Sequence, residues 1–277
     1  MIKTDLARLK TYAQAHPFIT VMGCEGSRNN PRVPADDWQD LDATYFTTDV
    51  SQFNFTDWCQ AFGRPVMVQH NHDDLWGTGH PWDIYLVQLA GHRRIDLKIA
   101  PVTDIPDYLD CDALNTLVWD RTHVLGPQHP NDRDHYLTMP FDDLFADSLN
   151  EFYWCLGDVV KALARQNLVA ANEMNNQHVR PELLRNLAWV VGSQHQGGYN
   201  PGADYRFLAQ ELPTDVRQSL AASYQQGSLK EIRQMVGLEM ALMAWCTPRN
   251  VNAFHLTLPA FVPSRRAQLV DWLLELQ

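Results

Sequence analysis

The sequence predicts an α+β protein in two parts, a mixed sheet with flanking helices followed by a helical bundle. Three observations predict it. Short apolar runs separated by turn residues fill the first half, long amphipathic stretches follow from about residue 145, and a polar, proline-containing segment lies between them. With 277 residues and 45% hydrophobic content, the chain has the apolar material to bury two such cores.

Ile2 to Ala15 carries Leu6, Leu9 and Tyr12 at helical spacing, so a helix precedes the sheet. Strands are expected at Phe18 to Met22, Leu41 to Thr47, Val66 to Gln69, Ile84 to Ala90 and Arg94 to Val102, bounded by turns rich in glycine, proline and asparagine. Gly91-His92 between the last two suggests a tight hairpin. Pro127 to Asp134 cannot contribute to a core and holds two prolines, which puts a domain boundary between residues 1–134 and 135–277. Beyond it, Leu149, Phe152, Tyr153, Leu156, Val160 and Leu163 repeat at three and four, a helix face whose expected N-cap is Asp147 or Ser148. Leu183, Leu184, Leu187 and Val191 mark another helix, which Pro181 either kinks or begins. Ser228-Leu229-Lys230-Glu231 reads as a capping box, and Ser264 as the start of a terminal helix with Leu269, Trp272 and Leu273.

Composition narrows the function classes. A formal net charge of -11 works against non-specific binding to nucleic acid and is compatible with a cationic small substrate. No window approaches the roughly 20 consecutive apolar residues of a membrane span, and the opening Met-Ile-Lys-Thr-Asp-Leu lacks the apolar core of a secretory signal. A cytoplasmic protein without a membrane or nucleic-acid partner is expected. The five cysteines are scattered without a C-x-x-C pair, so reduced and mostly buried thiols are expected.

The chemistry is carried by carboxylates. Phosphoryl and nucleotidyl transfer need charge neutralisation and positioning more than covalent help, and carboxylates holding magnesium against a triphosphate are the usual means. Asp40 and Asp42 stand two apart at the start of an expected strand, which puts both on one face while Leu41 points the other way. Asp96 lies within another strand with Ile95, Leu97 and Ile99 on the alternate face, so it can add a third carboxylate. Upstream, Gly26-Ser27 follows the apolar Val21-Met22 run, a turn whose backbone donors and hydroxyl suit phosphate oxygens.

The order of these features, Gly-Ser, then D-x-D after twelve intervening residues, then a later strand aspartate, is the pattern of the nucleotidyltransferase fold shared with DNA polymerase beta. In detail, Glu25-Gly26-Ser27-Arg28-Asn29-Asn30-Pro31 and Gln39-Asp40-Leu41-Asp42-Ala43-Thr44-Tyr45-Phe46 resemble the aminoglycoside 6-adenylyltransferase (streptomycin adenylyltransferase) family. Arg94-Ile95-Asp96-Leu97, Asn150 to Trp154, Val160 to Arg165 and Val179 to Leu184 resemble further blocks in the family's order, so the likeness spans nearly the whole chain. It implies transfer of AMP from ATP, with Mg2+ held by Asp40, Asp42 and Asp96, to a hydroxyl of a streptomycin-like aminoglycoside, with release of pyrophosphate. It implies further that Gly26, Ser27 and Arg28 face the triphosphate and that Asp96 deprotonates the acceptor. The helical domain is expected to close over the cleft, with Lys161 near the phosphates and Glu151 near nucleotide or aminoglycoside.

Plainer readings stand beside these. Glu151, Asp158, Lys161 and Arg165 recur as an exposed, salt-bridged helix stripe would. His70-Asn71-His72-Asp73-Asp74 is superficially like a zinc-hydrolase motif, but Leu75 stands where the final histidine would, and Asp73, Asp74, Gly77, Gly79 and Pro81 read as a polar loop. Tyr153 and Trp154 are candidates for stacking on adenine or covering sugar rings, whereas Trp189 reads as core. Two lysines expected in the family stand here as Ala203 and Ala209, with Arg206 nearby as a substitute charge. Those alanines motivate an alternative in which the chain is a nucleotide-binding regulatory protein that has lost turnover. A further alternative is nucleotidyl transfer to another small molecule or to a protein hydroxyl.

Overall fold

In a computed structural model, residues 2–75, 79–122, 126, 128–196 and 198–276 are described. Gly77 of the expected polar loop and Pro127 of the expected linker lie outside them. The chain divides into two compact units, residues 1–134 and 135–277.

In the first unit α1 (Ile2–Ala15) leads into a six-stranded mixed sheet. Its strands are β1 (Ile19–Cys24), β2 (Leu41–Thr47), β3 (Met67–Asp73), β4 (Trp82–Gln88), β5 (Arg94–Pro101) and β6 (Thr116–Asp120), with α2 (Phe55–Phe62) and α3 (Ile105–Cys111) between them. The spatial order is β3-β4-β5-β2-β1-β6; β2 and β5 run parallel, and every other neighbouring pair is antiparallel. The alternation expected of half-buried strands is present. Leu41, Ala43 and Tyr45 of β2 and Ile95, Leu97 and Ile99 of β5 pack with Leu9, Tyr12, Trp58 and Phe62 of α1 and α2. On the opposite face Phe46 and Ala100 pack with Tyr108 of α3 and Trp82. Asp42 and Asp96 share that second face but lie at the beginnings of their strands. The Gly91 turn closes the β4–β5 hairpin with φ +75°, a conformation that favours glycine.

β3 runs past the expected end at Gln69 to Asp73, so His70 and His72 lie within the strand, and Asp73 closes it rather than opening the expected polar loop. Both point at Asp83 Oδ1, at 2.8 and 3.2 Å.

The second unit is helical: α4 (Asp142–Ala164), α5 (Leu168–Met174), α6 (Arg180–Gly192), α7 (Leu208–Glu211), α8 (Thr214–Ala222), α9 (Leu229–Phe254) and α10 (Phe261–Glu275). Its core joins Leu149, Phe152, Leu156 and Leu163 of α4 to Leu183 and Leu187 of α6, Met243 of α9 and Leu269 of α10. Trp189 is fully buried, with its indole N–H donating to the Thr138 carbonyl at 2.9 Å. α4 begins five residues before the expected cap, at Asp142, because two acidic residues in its first turn suit the helix dipole although Phe141 offers no capping side chain. α10 likewise begins at Phe261 rather than Ser264; Pro263 in its first turn removes no hydrogen bond a helix would make there. Pro181 sits two residues into α6, which follows without a break on the π-helical turn Asn175–Val179, so the proline lies within a continuous helical run rather than starting a separate helix. Ser228 caps α9, accepting from the Glu231 N–H at 3.2 Å. Among the described residues no helix is long and apolar enough to cross a membrane.

Candidate active site

The end of β1 and the beginnings of β2 and β5 create a polar corner. Because β1 is antiparallel to β2 with Cys24 opposite Ala43, the chain leaving β1 turns over the start of β2. There the Glu25 N–H donates to the Asp42 carbonyl at 3.2 Å, and Gly26–Asn29 form one 3-10 turn. The parallel register sets Asp42 directly opposite Asp96, so their carboxylates rise side by side. Asp40 precedes β2 by one residue.

Two cations answer this charge. Arg94 donates through Nε and Nη2 to Asp96 at 2.9 and 2.7 Å and reaches Asp40 through Nη1 at 3.3 Å. Lys98, two residues beyond Asp96 on the same face, pairs with Glu25, whose other carboxylate oxygen accepts from the Thr44 hydroxyl. Burial pushes the Asp42 carboxyl up to about 6; Lys98 opposes the rise, while Glu25, Asp96 and Asp40 add to it. Asp40 is raised too, by burial first, against the pull of Arg94. Burial draws the Lys98 ammonium down, but Glu25, Asp42 and Asp96 together hold it above its ordinary value.

Gly26 has φ +66°, and a Cβ built on it would lie 2.8 Å from Asp42 Oδ2. The turn approaches the carboxylate as closely as it does only because no side chain stands there. Half-buried Ser27 follows in the same turn. Arg28 directs its Nε to the Asp40 carbonyl at 2.5 Å and its Nη2 to the Gln39 carbonyl at 3.0 Å, clamping the backbone that leads into the D-x-D strand. Arg28, Asn29, Asp36 and Gln39 line a cavity of about 760 Å³ beside the turn.

The donor set suits a hard divalent cation. Three carboxylates carry only oxygen ligands, Asp42 is largely stripped of water, and the negative charge already draws in two cationic side chains. Among the described residues the three aspartates do not bring one oxygen each to within 4.8 Å of both others, and Arg94 bridges two of them. An ion held by all three would take over the role Arg94 has here.

The first unit therefore brings together Gly26, Ser27, Arg28, Asp40, Asp42 and Asp96. Glu151 and Lys161 belong to the second unit, on α4. Glu151 lies 3.4 Å from His178, while Lys161 donates to Asp158 at 2.8 Å, the pairing a salt-bridged stripe would make. Lys161, exposed Trp154, Tyr153, Arg265 and Trp272 line a separate cavity of about 380 Å³. Ala203 is exposed, and the Arg206 guanidinium lies 5.1 Å from the Phe207 ring centroid. Glu25, Arg94 and Lys98 were not singled out by the sequence reading. The period of two that places Asp96 also places Arg94 and Lys98 on its face.

The family model for streptomycin adenylyltransferase matches residues 3–260. An aminoglycoside 6-adenylyltransferase of Campylobacter jejuni is 32% identical over 83% of this chain and 81% of its own length. That of Bacillus subtilis (strain 168) is 32% identical over 77% of each chain. A crystal structure of an aminoglycoside 6-adenyltransferase from Bacillus subtilis aligns with 98% of this chain and 96% of its own at 23% identity, with a TM-score of 0.48.

Proposed function

The chain belongs to the streptomycin adenylyltransferase family, and from that premise we propose that it transfers AMP from Mg-ATP to a hydroxyl of a streptomycin-like aminoglycoside, releasing pyrophosphate. The observation that carries the reading is the register of β2 and β5, which sets Asp42 beside Asp96 with Asp40 one residue ahead of the strand.

Asp40, Asp42 and Asp96 would hold the magnesium. The ion, when bound, supplies charge neutralisation for the triphosphate and for the departing pyrophosphate. Asp96 accepts the proton of the acceptor hydroxyl. That oxygen bonds to the α-phosphorus as the bond to pyrophosphate breaks, and the proton passes from Asp96 to solvent. The Gly26-Ser27 turn offers backbone N–H groups and one hydroxyl to phosphate oxygens, and Arg28 adds positive charge beside it. From the family resemblance, Lys161 is assigned to phosphate and Glu151 to nucleotide or aminoglycoside. The net charge of -11 favours a cationic acceptor over an anionic one.

Incubation with ATP radiolabelled at the α-phosphate, against streptomycin and other hydroxyl acceptors in parallel, tests the reading. Label on streptomycin is the expected result. Label on a different small molecule or a protein keeps the transfer and replaces the acceptor. Calorimetric ATP binding with no pyrophosphate from any acceptor would instead favour the regulatory alternative that Ala203 and Ala209 motivate.

A further inference from the structure

Outside the aspartate corner, one group of side chains converges as metal ligands do. Glu151, Cys155 and His178 each offer one ligand atom, and the three atoms lie within 4.8 Å of one another. We propose that these residues form a binding site for a borderline-soft divalent cation of the zinc type, distinct from the magnesium carboxylates.

Its construction is local. Glu151 and Cys155 are one turn apart on α4, so both project from one side of the helix. The Cys155 thiol donates to Glu151 Oε1 at 3.3 Å, and His178 Nδ1 lies 3.4 Å from that same oxygen. His178 arrives from Asn175–Val179, a single π-helical turn between α5 and α6. Such turns are rare and occur frequently at functional sites. Cys155 is 7% exposed, whereas the Glu151 and His178 side chains are 47% and 46% exposed. The sulfur is thus seated against the core while solvent reaches the other two ligands, which gives an ion a way in.

The donor chemistry selects the ion. One thiolate, one imidazole and one carboxylate form a mixed set that zinc accepts, while magnesium demands oxygen throughout. Three protein ligands leave the fourth tetrahedral position to water or to a small donor. Binding exchanges the thiol proton for the metal: the S–H bond breaks, the sulfur–metal bond forms, and one proton goes to the buffer with no change of oxidation state. Burial first, then Glu151, Asp158 and Glu182, push the Cys155 thiol up to about 12, so the ion has to displace a firmly held proton, while the same negative charge favours a cation there. The inference takes Glu151 as a metal ligand in place of the nucleotide or aminoglycoside contact that the family resemblance assigns it, and its test reads metal binding directly.

The experiment is a titration of the full chain with Co2+, a spectroscopic substitute for zinc, followed by displacement with Zn2+. Wild type is expected to give a thiolate-to-cobalt charge-transfer band and the intense visible bands of a tetrahedral ion, saturating at one equivalent and abolished by zinc. Cys155→Ser should lose the charge-transfer band. His178→Ala should weaken binding by more than the roughly 10-fold that even outer-shell changes cost. Serine is nearly isosteric with cysteine and His178 is half exposed, so circular dichroism should show both variants folded. Asp42→Asn should titrate as wild type does. Absence of a charge-transfer band in wild type, or a band that survives in Cys155→Ser, overturns the site.

Discussion

A side chain on Gly26 would press into the Asp42 carboxylate, its Cβ 2.8 Å from Oδ2. The backbone there is left-handed as well, at φ +66°, so an L-residue is strained before any contact is counted. Gly26→Ala is therefore expected to cost roughly 1–2 kcal/mol in stability and to move Asp42. Denaturant unfolding and pyrophosphate release should both fall short of wild type, the second by more than tenfold. A variant with wild-type turnover would show that the turn does not have to lie against the carboxylate.

Asp42 is held near 6, above its ordinary value, because burial disfavours its charge. A carboxylate whose folded pKa is raised favours the fold below its ordinary pKa, and that contribution is lost as pH rises through about 6. At neutral pH without metal the charge is a burden on the fold. Asp42→Asn should then match or exceed wild-type stability in chelator, by roughly 1–2 kcal/mol, while turnover disappears. Chemical denaturation at pH 7 reads the first, and a substantially destabilised variant would contradict it.

Lys98 and Glu25 form a partly buried pair, with side chains 21% and 12% exposed. Removing one partner leaves the other's charge stranded. Lys98→Met is expected to destabilise by roughly 2–4 kcal/mol, and adding Glu25→Gln should recover part of the loss. A double-mutant cycle measures that coupling. Strict additivity would mean the pair is incidental.

Glu239 provides a pH test in the helical unit. It is fully buried on α9 and pairs with Arg180 at 2.9 Å. Burial nevertheless pushes it up to about 7, against the pull of Arg180 and Asn175. Its contribution is present below the ordinary value of 4.5 and lost as pH rises through about 7. Glu239→Gln should therefore flatten the decline in stability between those pH values by roughly 1–3 kcal/mol. Thermal unfolding across that range checks it; parallel curves for variant and wild type would rule it out.

Which features were legible in the sequence depended on how local their causes are. The D-x-D strand and Asp96 could be read because alternation at a period of two is written into consecutive residues. The apolar faces of α4 and α6 were legible for the same reason. The pairing of Asp42 with Asp96 was not, since it rests on a register between strands more than fifty residues apart. Nor were the Lys98–Glu25 and Arg94–Asp40 contacts, which follow from that register. α3 and β6 went unseen because Ile-Pro-Asp-Tyr-Leu-Asp-Cys is short and proline-bearing, and Thr116–Asp120 is only five residues long. The cluster at Glu151, Cys155 and His178 needs a π-helical turn that no periodicity announces.

The most direct measurement is pyrophosphate release with Mg-ATP, with and without streptomycin, in wild type and in Asp96→Ala. Streptomycin-dependent release in wild type and its loss in Asp96→Ala is the result expected if Asp96, set beside Asp42 by the β2–β5 register, takes the acceptor proton. Full streptomycin-dependent release in Asp96→Ala would contradict that assignment, and no release from wild type with streptomycin or any other acceptor would contradict the transfer itself.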